Sequence, residues 1–171
     1  MIGSRTHAFT ILVADDEYVP KVLEALLSSD DFNLSMKSNA GAVAMSGNIE
    51  VILASEFDFA LSRIREAPKL RAVFLDKTFV GTHETGLDLF SVAYLREDVR
   101  HFYSVSKGFS LLQGMQIRTS GRPDVSVGYL GKNVEACIGK IREIISELRP
   151  QGAEPVSHEL PNGNRQAFTY C

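Results

Sequence analysis

The 171-residue sequence has few cysteines, no excess of basic charge and no long apolar segment. Cys137 and Cys171 are too few and too far apart for a zinc site or a disulfide framework, which favours a reducing compartment. Eighteen basic residues against 21 acidic ones give a net charge of −3, so a nucleic-acid partner is not indicated. No apolar run reaches membrane-spanning length, and the first residues lack the apolar core of a secretion signal. We therefore expect a cytoplasmic protein with no membrane segment.

Apolar runs of strand length alternate with amphipathic stretches along most of the chain. Five strands are predicted, at residues 9–14, 49–54, 71–76, 101–106 and 125–131. Helices are predicted directly after residue 17 and at about 56–67, 87–96, 109–117 and 134–148. This alternation predicts a doubly wound α/β fold with a five-stranded parallel sheet, of which 2-1-3-4-5 is a common order.

Two segments do not fit the alternation. Residues 32–48 begin with alternating polarity and continue with small residues, which predicts an extra hairpin inserted after the first helix. Residues 150–171 contain three prolines, two glycines and few apolar residues, so they are predicted as a flexible C-terminal tail, or a strap if Phe168 and Tyr170 find a groove. The predicted domain is therefore 1–149.

Polar side chains lie at the carboxyl ends of four of the five predicted strands. They are Asp15 and Asp16 at the end of the first strand, Asp76 at the third, Ser106 at the fourth and Lys132 at the fifth. In the 2-1-3-4-5 order the first and third strands are neighbours, so the three carboxylates converge. Three carboxylates in one crevice favour a hard cation, and Mg²⁺ is the expected one. Plainer interpretations remain open, because an aspartate also begins turns and acidic residues suit a helix start.

These motifs, taken together, resemble those of response-regulator receiver domains, the phosphoaccepting modules of two-component signalling. The matching segments are Val-Ala-Asp-Asp-Glu at 13–17, Val-Phe-Leu-Asp at 73–76, Val-Ser at 105–106 and Gly-Tyr-Leu-Gly-Lys at 128–132. The resemblance covers roughly residues 9–148. It implies a phosphoprotein of the flavodoxin-like fold class that acts in a phosphorelay.

The resemblance also implies a role for each site residue. Asp15, Asp16 and Asp76, with the backbone carbonyl of Thr78, would hold Mg²⁺. Asp76 would be the nucleophile that takes a phosphoryl group from the phosphohistidine of a histidine kinase or phosphotransfer protein.

The remaining expected roles concern the phosphorylated state. Lys132 would pair with the phosphoryl group, and Ser106 would move to bond it. Tyr129 occupies the family's aromatic switch position, although an aromatic residue there is also consistent with a core residue.

The sequence departs from the family pattern at three positions. Val80 stands where proline is usual, and Gly86 arrives two residues late. Asn133 follows the lysine where the family commonly has a proline, which puts the family's cis peptide in question. None of these changes removes a predicted catalytic group.

The expected function is that of a stand-alone receiver, which is not an enzyme beyond its own phosphorylation and dephosphorylation. It would signal by contact with a downstream protein, since no DNA-binding region follows residue 148. The face of the fourth and fifth helices is the family's usual contact surface, and a homodimer through it is a further expectation.

Two other functions are kept open, and the first is a haloacid-dehalogenase-like phosphatase. The segment Asp76-Lys-Thr-Phe-Val-Gly-Thr is similar to the phosphorylation motif of P-type ATPases and, more loosely, to that of haloacid-dehalogenase-type phosphatases. In that superfamily, however, the acidic pair follows the nucleophile, whereas Asp15 and Asp16 precede it. The second alternative is a degenerate receiver that binds partners without being phosphorylated.

Overall fold

The computed structural model describes residues 9–149, and the predicted tail lies outside them. The strands are β1 (Phe9–Ala14), β2 (Asn33–Lys37), β3 (Gly41–Ser46), β4 (Ile49–Ala54), β5 (Leu70–Leu75), β6 (His101–Ser104) and β7 (Ser126–Tyr129). The helices are α1 (Val19–Leu27), α2 (Phe57–Glu66), α3 (Gly86–Tyr94), α4 (Ser110–Thr119) and α5 (Val134–Leu148). None of these helices is both long enough and apolar enough to cross a membrane.

The described strands form one sheet in the order β2-β3-β4-β1-β5-β6-β7. Its five parallel strands, β4, β1, β5, β6 and β7, follow the predicted 2-1-3-4-5 order, so the fold class is confirmed. The strand number was wrong, because the sheet has seven strands rather than five. The predicted hairpin forms β2 and β3, and β3 pairs antiparallel with β4 over six residues. An apolar, largely buried β3 pairs along the whole length of β4, so the insertion joins the sheet instead of standing apart from it.

Helices cover both faces of the sheet, as the predicted alternation requires. Successive side chains of β1 point to opposite faces, which places Ile11 and Val13 in one core layer and Leu12 and Ala14 in the other. The first layer includes residues of α1 and α5, and the second includes residues of α2, α3 and α4. These four residues are fully buried, as expected for β1, the middle strand of the seven.

Three strands end earlier than predicted, and the first of them is β5, which ends at Leu75 rather than at Asp76. The parallel pairing of β6 with β5 stops at Ser104, opposite Leu75, because β5 itself ends before Asp76. Ser106 therefore lies in the loop that follows β6, not on the strand. Strand β7 covers Ser126–Tyr129 rather than 125–131.

Asn133 replaces the expected proline without disturbing the start of α5. Its side-chain oxygen accepts a hydrogen bond from the backbone N–H of Ala136 at 3.0 Å, so it acts as the N-cap of the helix. No peptide bond within residues 9–149 is cis, including the one before Asn133.

Gly86 allows α3 to begin directly against the end of β5. A Cβ atom at position 86 would lie 1.9 Å from the backbone oxygen of Asp76, which is far inside van der Waals contact. The Gly86 N–H also donates to the Lys77 carbonyl at 2.8 Å. The absence of a side chain at position 86 therefore sets the path of the chain around Asp76.

We expect Gly86→Ala to lower the free energy of unfolding by about 2–3 kcal/mol, because backbone must move to admit the methyl group. The matched control is Gly139→Ala on the exposed side of α5, where an added Cβ meets no atom within 4 Å. That change is expected to raise stability by up to about 1 kcal/mol through helix propensity. Urea denaturation measures both. Equal effects of the two substitutions would contradict the close approach at Gly86.

Candidate functional site

The predicted site residues converge on one open cavity of about 280 Å³ at the carboxyl ends of the parallel strands. Asp16, Asp76, Thr78, Ser106 and Lys132 all line it. They come from the segments after β1, β5, β6 and β7, which end at the same edge because these strands run parallel. Asp15 is fully buried and is not among the lining residues, but its carboxylate belongs to the same cluster.

The three aspartates lie close together, as predicted. One carboxylate oxygen from each of Asp15, Asp16 and Asp76 lies within 4.8 Å of the other two. The cause is the pairing of β1 with β5, which sets Ala14 opposite Leu75 at the ends of the two strands. Asp15 is 0% and Asp76 is 6% exposed, so two of the three negative charges have little access to water.

Backbone donors hold the Asp15 carboxylate at the start of α1. Its Oδ1 accepts hydrogen bonds from the N–H groups of Glu17 at 2.9 Å and Tyr18 at 3.0 Å. Burial raises the pKa of Asp15 above its ordinary value, and the nearby charge of Asp76 acts in the same direction, against the lowering effect of a hydrogen bond from Lys132.

Lys132 is the cation of the cluster. Its Nζ donates to Oδ2 of Asp15 and, at 2.8 Å, to Oδ2 of Asp76. It also lies 5.6 Å from the centre of the Tyr18 ring, within cation–π range. Burial alone would lower the pKa of Lys132, but its hydrogen bonds to the two aspartates hold that pKa above the ordinary value. The side chain therefore stays charged at neutral pH and offsets part of the carboxylate charge.

The loop after β5 supplies backbone donors to two of the aspartates. The N–H of Lys77 donates to Oδ1 of Asp76 at 2.7 Å. The N–H of Val80 donates to Oδ2 of Asp16, also at 2.7 Å. The loop is thus attached to both strand ends that carry the acidic residues.

Ser106 and Tyr129 occupy different parts of the surroundings. Ser106 is 5% exposed and lines the cavity, whereas the neighbouring Ser104 is fully buried on β6. Tyr129 is half-buried on β7, and its hydroxyl donates to the carbonyl of Lys107 at 3.1 Å. Its ring packs at 4.6 Å, centre to centre, from that of the exposed Phe109. Tyr129 is therefore attached to the loop that contains Ser106, and it is not a core residue.

The sequence prediction missed two kinds of contributor to the site. One is the Tyr18 ring beside Lys132, and the other is the set of backbone N–H groups on the aspartates, of which the Val80 N–H on Asp16 is one. The position of Tyr18 offered a weak signal, because a residue three positions after Asp15 at the start of a helix lies close to the Asp15 side chain. A backbone N–H carries no side-chain signal at all.

Comparison with known proteins supports the fold. No protein-family model and no curated protein matches the chain. Among solved structures, it is similar to a CheY-like response regulator receiver domain protein from Methanospirillum hungatei JF-1, with 17% identity and a TM-score of 0.54 over 84% of this chain and 98% of that one. It is also similar to a probable two-component system response regulator/GGDEF domain protein, with 16% identity and a TM-score of 0.52 over 84% of this chain and 52% of that one. The chain has the CheY-like receiver fold.

The donor set at the site suits a hard divalent cation. All three converging ligands are carboxylate oxygens, and the half-buried Asp16 faces the open cavity. Mg²⁺ prefers such oxygens and keeps several water molecules, for which an open cavity leaves room. The site residues therefore fit the metal that the sequence predicts.

We expect Lys132→Met to lower the free energy of unfolding by about 3 kcal/mol in the absence of divalent cations, because it leaves two buried carboxylates without their cation. Lys140→Met is the matched control, since Lys140 forms a salt bridge with the exposed Glu143 and, like Lys132, lies 5.6 Å from the centre of a tyrosine ring, here that of Tyr103. An exposed ion pair of this kind contributes less than about 1 kcal/mol. Adding Asp15→Asn to Lys132→Met is expected to recover part of the loss by removing one of the stranded charges. Urea denaturation at neutral pH measures each variant. If Lys132→Met is no more destabilising than the control, Lys132 is not the required counter-ion.

Proposed function

We propose that the protein is a phosphoaccepting receiver of a two-component phosphorelay, with Asp76 as the residue that takes the phosphoryl group. The observation that carries this proposal is the convergence of Asp15, Asp16, Asp76 and Lys132 beside one cavity of a receiver fold. A cytoplasmic location and a histidine kinase or phosphotransfer protein as donor belong to the same proposal.

The proposed metal site uses chain atoms at the same edge of the sheet. Carboxylate oxygens of Asp15, Asp16 and Asp76, with the backbone carbonyl of Thr78, would hold Mg²⁺. When bound, Mg²⁺ supplies positive charge that offsets the charge of the incoming phosphoryl group. Because Lys132 binds Asp15 and Asp76 in the described structure, it would share these two aspartates with the metal.

The transfer itself is a displacement at phosphorus. A carboxylate oxygen of Asp76 forms a bond to phosphorus as the bond from phosphorus to the donor's imidazole nitrogen breaks, and that nitrogen keeps the electron pair. Asp76 suits this role because it lines the cavity while the Lys77 N–H and Lys132 orient its carboxylate. Lys132 stays near the phosphoryl oxygens and stabilises their charge as the bond forms.

The phosphorylated state is transmitted through the loop after β6. In this proposal the Ser106 hydroxyl donates to a phosphoryl oxygen, which draws the loop toward Asp76. The Lys107 carbonyl in that loop accepts the hydrogen bond from Tyr129, so a displacement of the loop reaches Tyr129 and its neighbour Phe109. The exposed side chains of Phe109 and Ile117 then offer a surface for a downstream protein or for a second copy of the chain.

Incubation with acetyl phosphate and Mg²⁺ is expected to add one phosphoryl group to the wild-type protein, as measured by intact mass. Asp76→Asn is expected to gain none, because the nucleophile is lost. Asp58→Asn, on the exposed side of α2, is the matched control and is expected to behave as wild type. Hydroxylamine should remove the added group, since an acyl phosphate is the product.

Other outcomes would point to the alternative functions. No mass gain in wild type would contradict phosphoacceptance and leave an interaction module. Continuous turnover of small phosphomonoesters would favour the phosphatase.

A further inference from the structure

The backbone N–H of Val80 joins the loop after β5 to the acidic pair after β1, 64 residues earlier in the chain. We propose that this N–H is a positioning group for Asp16: it orients the carboxylate for Mg²⁺ and thereby couples loop 77–85 to the occupancy of the metal site. The inference rests on the proposed Mg²⁺ site and assigns a role to a residue at which the chain departs from the receiver pattern.

The loop is constrained enough to present this N–H in a defined place. Its base is closed by the hydrogen bond from Gly86 to the Lys77 carbonyl and by a bridge between Thr78 and Thr85. Phe79, next to Val80, is 5% exposed and packs edge-on against Phe57, with ring centres 5.7 Å apart. Because both the base and this anchor are held, the Val80 N–H is directed at Asp16 by the fold of the loop.

The side chain of Val80 does not explain why valine occupies this position, because the residue is 86% exposed. Val80 and Gly81 form a turn in which Gly81 has φ of 81°, the value found at the third position of a type II turn. Proline is favoured at the second position of that turn, which is where Val80 lies. Both proline and valine therefore suit the backbone, but proline has no N–H to donate. Compared with proline, valine at position 80 therefore adds a backbone N–H that donates to Asp16.

Asp16 has fewer hydrogen-bond partners to fix its carboxylate than the other two aspartates of the proposed metal site. Asp15 is held by two backbone N–H groups and by Lys132, and Asp76 by one N–H and Lys132. Asp16 is half-buried, so without a partner its carboxylate can rotate into water. The bond from Val80 occupies Oδ2 and leaves Oδ1 available for the cation. Partners that orient metal ligands in this way typically change affinity by tenfold to a hundredfold.

The coupling acts in both directions. If the loop N–H strengthens Mg²⁺ binding by holding Asp16, then bound Mg²⁺ stabilises the loop by the same factor, as linkage requires. The loop also carries Thr78, whose carbonyl is a proposed ligand. The binding of Mg²⁺ and the ordering of loop 77–85 are therefore coupled in this proposal.

The test compares Val80→Pro, which removes the N–H, with Val80→Ala, which keeps it. Mg²⁺ affinity is measured by calorimetric titration with MgCl₂ alone, without any phosphodonor. We expect Val80→Ala to match wild type and Val80→Pro to bind Mg²⁺ about tenfold more weakly, the lower end of the range for such partners. In wild type, Mg²⁺ should also slow hydrogen exchange of the Val80 amide.

Three results would overturn the proposal. The first is that Val80→Pro binds Mg²⁺ as tightly as wild type or more tightly. The second is that Val80→Ala weakens Mg²⁺ binding as much as Val80→Pro does. The third is that Mg²⁺ leaves the hydrogen-exchange rate of the Val80 amide in wild type unchanged. If proline disturbs the fold, an amide-to-ester substitution at position 80 removes the N–H while keeping the side chain, and it should give the same weakening. Failure of phosphorylation is distinguishable, because the Mg²⁺ titrations do not use acetyl phosphate. Wild type that binds no Mg²⁺ would remove the proposed metal site and this inference together.

Discussion

Three carboxylates lie together at one edge of the sheet, and the fold must offset the repulsion between them. Two of these carboxylates, Asp15 and Asp76, are almost fully removed from water, where like charges repel strongly. The chain offsets this cost with one internal cation, Lys132, and with backbone N–H groups at each aspartate. The compensation is partial, since the pKa of Asp15 is still raised. A site that retains excess negative charge is suited to a cation and, with the cation bound, to an anionic phosphoryl group.

Parallel strands are what make this concentration possible. Strands β1 and β5 are neighbours and end at the same level, so their pairing alone brings together the residues that follow them. Gly86 then lets α3 start against the Asp76 carbonyl, which keeps the intervening loop short and closed at its base. The geometry of the site thus follows from strand pairing and one glycine contact more than from the side chains of the loop.

The sequence was sufficient for the parts of the fold that side-chain patterns specify. The apolar runs predicted the parallel strands, and the polar residues after them predicted which side chains meet, because both depend on periodicity and strand order. The ends of β5, β6 and β7 were misplaced, since pairing partners rather than local sequence decide where a strand stops. The joining of β3 to β4 and the Val80 N–H on Asp16 were missed for a related reason: each depends on backbone hydrogen-bonding groups, which carry no side-chain signal. The first links strands separated by two residues, and the second links segments 64 residues apart.

The inserted hairpin has a physical consequence for the sheet. Without β3, β4 would be an apolar edge strand beside β1, and unpaired edges of that kind invite association with other chains. With β3 in place, β4 is paired on both sides and the edge passes to β2, which is exposed and polar over most of its length. A register shift between Leu34 and Met36, together with Lys37, makes β2 a poor template for further pairing. The hairpin therefore adds two strands between that edge of the sheet and β1, the strand that Asp15 and Asp16 directly follow.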